Sequence, residues 1–250
     1  MTEIELIIDL HKNSERQGPG SKKDTLMALS FIDLPLQREV KLADIGCGTG
    51  GQTINLAQNS NLKITAVDLF PPFLDELNQK SRKLGLEGKI STLEASMDNL
   101  PFAREEFDII WSEGAIYNMG FANGIQNWKQ FLKDKGFLAV SEITWTTNSR
   151  PREIEEFWIG EYPEIDTAAN KIKVLEENGF ILRGYFVLPE SSWVDNYYTP
   201  LSSRFDSFLK RHEYSDLSKK VVRDNTSEIE LYMKYKEYYS YGFYIAKRYK

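Results

Sequence analysis

The chain is predicted to fold as an α/β protein built on one mostly parallel sheet. From Lys41 onward, short apolar runs alternate with amphipathic stretches at helical spacing, the sign of successive βα units. A glycine-rich turn, Asp44-Ile-Gly46-Cys47-Gly48-Thr-Gly50-Gly51, joins the first of these runs to the amphipathic stretch after it. At 250 residues the chain has the size of one large domain with room for an appended cap.

The elements follow in order. Two short helices are expected at about 4–12 and 21–33, the first with Ile4, Ile7 and Ile8 on one face. The second starts on Ser21 with Asp24 three residues on, a capping-box-like start. Between them Ser14-Glu-Arg16-Gln-Gly-Pro-Gly20 reads as a loop. Strands are expected at 41–45, 62–67, 89–93, 107–111 and 137–143, with helices at roughly 50–58, 71–84 and 122–133 between them. Pro71 or Pro72 suits a first helical turn. Lys133-Asp-Lys-Gly136 reads as the stop of the helix at 122–133. A helix at about 167–178 stops at Asn178-Gly179 before a strand at 180–188, and a last strand falls at about 240–248. The polar, aromatic-rich region 190–235 is expected to be helical in part.

The glycine turn has the context of a nucleotide-binding turn, after a strand and opening a helix. Glycines let the chain turn sharply and let a ligand approach the backbone. Gly46, Gly48 and Gly51 also satisfy the dinucleotide pattern G-x-G-x-x-G, so the nearby charges must decide. Asp44 would repel a pyrophosphate and attract an ammonium or a sulfonium, each by about 4 kcal/mol at ~4 Å and an effective dielectric near 20. Asp68, about 20 residues after the turn, suits the hydroxyls of a ribose, whichever adenosine cofactor carries it.

These residues, together with Leu100-Pro101-Phe102 and Phe107-Asp108-Ile-Ile-Trp111, give the chain a resemblance to the class I S-adenosylmethionine-dependent methyltransferases. Within that family it is most similar to the ubiquinone and menaquinone C-methyltransferase group, and the resemblance covers about residues 40–145. It implies a Rossmann-like, seven-stranded, mostly parallel sheet with helices on both faces and the last strand antiparallel. It also implies an N-terminal helical lid at 1–38, a cofactor-binding core at 39–188, and a cap insertion with the last strand at 189–250. By the same resemblance Gly46 and Gly48 would lie against the methionine portion of S-adenosylmethionine, Asp68 on the ribose and Leu69 on the adenine. Ser96, followed by Met97, stands where relatives carry an Asp for the adenine amino group. Ser112-Glu113-Gly114-Ala115 would border the methionine and the transfer cleft. The Arg16–Gly20 loop resembles a segment folded over the cofactor, with Arg16 suited to a carboxylate.

Composition narrows the partners. A net charge of −6 argues against nucleic acid, since that binding draws on Lys and Arg. The lone Cys47 fits a reducing, cytoplasmic setting. Neither a secretory leader nor a membrane-spanning run is apparent. His11 and His212 lack partners at metal-ligand spacing, so no metal is expected. The acceptor is expected to be a small organic molecule, with quinone-like aromatics among the choices. Its pocket should draw on Tyr117, Asn118, Trp145, Trp193, Asn196, Tyr197 and Tyr198, each of which could equally be packing. Glu113 and Tyr117 are the candidate general bases, and Cys47 is assigned no chemistry. Two rivals stay open: an NAD-dependent oxidoreductase, and a non-catalytic S-adenosylmethionine-binding module.

Overall fold

Strands and helices alternate as their apolar patterns require in the computed structural model, which describes residues 1–34 and 39–249. The expected border between lid and core, at residue 38, lies outside the described residues. Helices α1 (Glu3–His11) and α2 (Lys22–Ser30) precede the sheet. Then come β1 (Val40–Ile45), α3 (Gly51–Asn59), β2 (Leu62–Asp68), α4 (Pro71–Lys83), β3 (Ile90–Glu94) and β4 (Phe107–Glu113). The next elements are α5 (Phe121–Trp128), β5 (Leu132–Trp145), α6 (Arg152–Glu161), β6 (Asp166–Thr167), α7 (Ala168–Glu177) and β7 (Phe180–Val187). The cap consists of α8 (Glu190–Trp193), a π turn at Val194–Tyr198, α9 (Thr199–Ser202), α10 (Phe205–Arg211) and α11 (Asp216–Tyr235), and β8 (Tyr239–Arg248) closes the chain.

The sheet runs β3-β2-β1-β4-β5-β8-β7, parallel from β3 to β5, with β8 antiparallel to both β5 and β7. This is the expected Rossmann-like sheet of seven strands, to which the two-residue β6 adds a short pairing on the end of β5. The order reverses beside β1, so the loops after β1 and β4 diverge and leave a crevice at the carboxyl edge. Central strands are buried on both faces, which is why β4 and β8 read as almost unbroken apolar runs. One apolar cluster, including Leu42, Trp111 and Phe243, packs one side of the sheet, and a second, including Ile45, Ile110 and Trp128, packs the other.

Two local expectations are corrected. The helix predicted to 133 ends at Trp128, and a 3-10 turn at Lys129–Phe131 leads straight into β5. Lys133-Asp-Lys-Gly136 is therefore a bulge inside β5, where pairing with β4 jumps from Phe107↔Leu132 to Ile109↔Phe137. Lys133 is held there by Asp108 at 2.8 Å. Helix α6, with Pro151 ahead of its first turn, was not anticipated.

Candidate active site

A cavity of about 560 Å³ opens at the carboxyl edge of the parallel strands. That size falls within the ~300–1,000 Å³ of small-molecule sites. One side of its lining comes from Gly46–Gly48, Asp68–Phe70, Ala95–Asp98 and Glu113–Ala115, which follow β1, β2, β3 and β4 respectively. Ile4, Ile7, Ile8 and His11 of α1, with Arg16–Pro19 behind them, supply another side. Tyr117, Asn118, Met119 and Tyr197 complete it.

The glycine turn is fixed by its own amides. Gly46 N and Cys47 N both donate to Val67 O at 2.9 Å, and Gly50 N donates to Cys47 O at 3.0 Å. Gly48 N donates to Asp68 Oδ2 at 2.8 Å, and Thr49 N donates to Gln17 Oε1 at 2.7 Å. Five consecutive N–H groups are thus committed within the protein. Gly46 and Gly48 adopt φ of 77° and 54°, where a side chain is strained, and a Cβ at Gly46 would overlap the methyl of Ala115. Asp68 also accepts from Phe70 N at 3.0 Å. Burial pushes its carboxyl up, and the backbone donors of Phe70 and Gly48 pull the other way.

Glu113 is the most constrained acid at the cavity. Its Oε2 accepts from Arg16 Nη1 at 2.7 Å, and its Oε1 accepts from Thr25 Oγ1 at 2.8 Å and Trp111 Nε1 at 2.9 Å. Arg16 Nη2 also donates to Thr25 Oγ1 at 2.8 Å. Both ends of the ion pair are buried, with side-chain exposures of 6% and 3%. Gln17 reaches from the same loop, its Nε2 donating to Thr49 Oγ1 at 3.1 Å. The N-terminal segment is thereby tied to the glycine turn and to the end of β4.

Of the residues picked out from sequence, Arg16, Gly46, Gly48, Asp68, Leu69, Ser96, Met97, Glu113, Tyr117, Asn118 and Tyr197 come together around this one cavity. Others do not reach it. Asp44 is wholly enclosed, accepting from Thr53 Oγ1 at 2.5 Å and Gln52 Nε2 at 3.3 Å, and burial raises its carboxyl to about 7. The direct contact expected of Asp44 is therefore replaced by a structural role under the turn. Gly20 packs behind Arg16 and donates its N–H to Ser192 O at 3.1 Å. Trp145, Trp193 and Tyr198 belong to the apolar core: Trp193 stacks on Tyr232 at 4.6 Å, and Arg150 lies over Trp145 at 4.2 Å. Asn196 is exposed and outside the lining. Strand-end aromatics pack against cap helices here because the cap covers that part of the sheet.

Sequence reasoning missed Gln17, His11 and the isoleucine face of α1 as cavity residues. The apolar spacing of Ile4, Ile7 and Ile8 was visible, but not the surface it faces. His11 stacks on Tyr197 with centroids 6.2 Å apart, and burial lowers its ring to about 4. Cys47 lines the cavity, yet burial pushes its thiol well above the ordinary range, which leaves it a neutral group without nucleophilic character.

Comparison with known proteins agrees with this architecture. Residues 42–136 match the family described as methyltransferase domain. The malonyl-[acyl-carrier protein] O-methyltransferase of Enterobacter lignolyticus is 27% identical over 181 residues, 71% of this chain and 66% of that protein. The 27-O-demethylrifamycin SV methyltransferase of Amycolatopsis mediterranei is 26% identical over 111 residues, 44% of this chain and 41% of that protein. The chain thus spans less than two thirds of the length of these curated relatives. A SAM-dependent methyltransferase from Geobacter sulfurreducens, solved in complex with S-adenosyl-L-homocysteine, shares the fold with a TM-score of 0.85 at 15% identity, over 97% of both chains. Over residues 42–136 the chain is thus similar to methyltransferase domains, and its fold as a whole is the one that the Geobacter protein has.

Proposed function

We propose that this protein is an S-adenosylmethionine-dependent methyltransferase that acts on a small organic acceptor. The observation that carries the reading is the state of the glycine turn. A dinucleotide pyrophosphate is held by free backbone N–H groups at such a turn. Here the amides of residues 46–50 all donate internally, so a pyrophosphate would have only the first-turn amides of α3 to meet it, which favours the sulfonium cofactor over NAD. An adenosine bearing a sulfonium needs other things, and the lining offers them. Each oxygen of Asp68 accepts one backbone N–H, which leaves lone pairs for two ribose hydroxyls. Leu69, 54% exposed, and Met97 present apolar surface to a base, and Ser96 adds a hydroxyl.

When bound, the cofactor supplies a methyl group on a good leaving group, so orientation can carry much of the rate, ~7–11 kcal/mol. Glu113 suits positioning rather than proton abstraction, because Arg16, Thr25 and Trp111 already hold its oxygens. Arg16 would reach a methionine carboxylate only in competition with Glu113. Burial, and then the charge of Glu228, raise the Tyr117 phenol, which makes Tyr117 a neutral hydrogen-bonding partner instead of a base. We further assign residues 1–38 to a lid, 39–188 to the cofactor core and 189–250 to the cap with the last strand. The narrower likeness to quinone C-methyltransferases rests on motif residues alone, and the matched relatives are named for a rifamycin and a malonyl-carrier protein.

Titration calorimetry tests the reading. S-adenosylmethionine and S-adenosylhomocysteine should bind, with NAD at least tenfold weaker, and Asp68→Ala should weaken S-adenosylhomocysteine roughly 10- to 150-fold as charge-assisted bonds of ~1.5–3 kcal/mol are lost. Tighter binding of NAD would overturn it. Release of S-adenosylhomocysteine across an acceptor panel separates an enzyme from a binding module, and Cys47→Ser should turn over normally.

A further inference from the structure

His11 lines the cavity and has no part in the reading above. It ends α1, is 7% exposed, and stacks its ring on Tyr197 with centroids 6.2 Å apart and planes 26° from parallel. Gln17 Nε2 donates to the His11 carbonyl at 3.2 Å, and Gln17 Oε1 accepts from Thr49 N, so this end of α1 is fastened beside the glycine turn. The imidazole has no such tie. Its Nδ1 is enclosed without a hydrogen-bond partner, and Nε2, which has none among the described residues either, is the ring nitrogen left open. Leaving a buried imidazole without any hydrogen bond is costly, and a ligand bonded at Nε2 removes part of that cost.

The fold puts this ring at the end of the cavity away from the residues suited to adenosine. In the order β3-β2-β1-β4, Asp68, Leu69, Ser96 and Met97 follow β2 and β3 on one side of β1, and Tyr117 and Asn118 follow β4 on the other. Tyr197 belongs to the second side through a chain of rings. It meets Tyr198 at 5.0 Å, Tyr198 meets Trp193 at 6.0 Å, and Trp193 meets Tyr241 of β8 at 4.9 Å. A cofactor whose adenosine lies over β2 and β3 leaves this second side to the acceptor. Its lining there is apolar or neutral: Ile4, Ile7 and Met119 give apolar surface, and Tyr117 and Asn118 give uncharged polar groups. Arg16 and Glu113, where the two sides meet, are taken up by each other. Burial, and then the charge of Arg204, lower the imidazole to about 4, so the ring is uncharged at neutral pH. Arg204 itself lies outside the lining, its Nε donating to Pro200 O at 3.0 Å. A charged acceptor would lose its hydration on this side without meeting a counter-charge in the lining.

We propose that His11 binds the hydroxyl of an uncharged aromatic acceptor, with the rings of Tyr197 and Tyr117 as surfaces for its planar body. The inference rests on the methyltransferase reading and narrows its acceptor. A hydroxyl both donates and accepts, so it suits Nε2 in either tautomer of the neutral ring. Tyrosine rings favour an aromatic body through offset or edge contacts.

The test uses the full chain saturated with S-adenosylhomocysteine and three probes on one ring system: 2-naphthol, 2-methylnaphthalene and naphthalene-2-carboxylate. In fluorescence titrations at neutral pH, 2-naphthol should bind at least tenfold tighter than either of the others. His11→Phe keeps a ring to stack on Tyr197 and removes both nitrogens. It should bring 2-naphthol within about twofold of 2-methylnaphthalene while S-adenosylhomocysteine affinity stays unchanged. Equal binding of those two probes to the wild type, no binding of 2-naphthol, or a hydroxyl preference that survives His11→Phe would each overturn the assignment. Tighter binding of the carboxylate would overturn it too, by showing that the charge of Arg204 governs this side. If His11→Phe does not fold, the nitrogen resonance of Nε2 in the wild type decides. It should move with 2-naphthol and hold still with 2-methylnaphthalene, and the same response to both would sink the proposal. Failure of S-adenosylhomocysteine to bind would instead bring down the methyltransferase reading beneath it.

Discussion

Arg16→Met breaks the buried pair between the N-terminal loop and the end of β4 without changing the length of the side chain greatly. The variant leaves Glu113, 3% exposed at its side chain, with a charge and only the hydrogen bonds from Thr25 and Trp111. Removing one partner of a buried pair costs about 3–5 kcal/mol. The protein could escape that cost by releasing the whole segment into water. Release would expose Leu6, Leu10, Leu29 and Ile32, all at 7% exposure or less. At ~1.5–3 kcal/mol for each such side chain, undocking costs about 6–12 kcal/mol, more than it saves. The segment therefore stays docked and the folded state carries the penalty. For a domain of this size a melting point moves ~2–4 °C per kcal/mol, so Tm should fall by roughly 6–20 °C. Glu113→Gln should do similar harm by stranding Arg16, and the double variant Arg16→Met/Glu113→Gln should recover much of the loss, a clear departure from additivity. Scanning calorimetry at low salt measures all three. A shift below about 2 °C for Arg16→Met, or additive losses, would refute the reasoning.

Three more expectations follow from the same geometry. Asp44 has a folded pKa of about 7 against 3.8 for a free carboxyl, so its contribution is fully present below about pH 4 and is lost as pH rises to about 7, up to ~4 kcal/mol in all. Asp44→Asn should flatten that part of a denaturation series run from pH 4 to 8, and an unchanged slope would count against it. His11 has the opposite sign: lowered by burial from 6.5 to about 4, it contributes stability above pH 6.5 that is lost as pH falls towards 4. Amide exchange in α1 should quicken over that window, and much less in His11→Gln. Gly46→Ala places a methyl against Ala115 at a φ of 77°, so S-adenosylhomocysteine affinity should drop at least tenfold with a lower Tm, as calorimetry and melting would show.

The parts of this molecule that were legible in the sequence are those with short-range causes. Strands buried on both faces must be apolar throughout, so β1, β2, β4 and β8 could be placed within two residues. The glycine turn was legible because its backbone needs positive φ at Gly46 and Gly48. What was not legible depends on partners remote in the chain. Asp44 looked like a ligand contact because it precedes the turn, but its lone pairs go to Gln52 and Thr53, one turn into α3. Lys-Asp-Lys-Gly136 looked like a helix stop because a bulge uses the same residues, and only its pairing with Asp108 across the strand tells the two apart.

The N-terminal segment is held in two unequal ways, and the difference bears on which part of it could open. Beyond Arg16, the segment is bound into the body of the protein. Ala28, Leu29 and Ile32 belong to the main core, and Asp24 accepts from Ser192 Oγ at 2.6 Å while Gly20 donates to the backbone of the same residue. Helix α1 has shallower attachments: Leu6 and Leu10 pack with Leu201, Phe208 and Val221 of the cap, and Asp9 meets Arg211 at 2.6 Å and His212 at 2.8 Å. Burial works against the Asp9 charge, yet Lys12, His212 and Arg211 hold its carboxyl well below the usual range. Arg211 is 47% exposed at its side chain, however, so that tie is open to screening by salt in a way that the Arg16–Glu113 pair is not. Ile4 and Ile7, 59% and 40% exposed, show that α1 covers the cavity without being sealed against it. Within the lid proposed for residues 1–38 the attachments are therefore unequal. α2 and the Arg16 loop are its firmly held part, and α1, with the shallower attachments, is the part that an opening of the lid would release first.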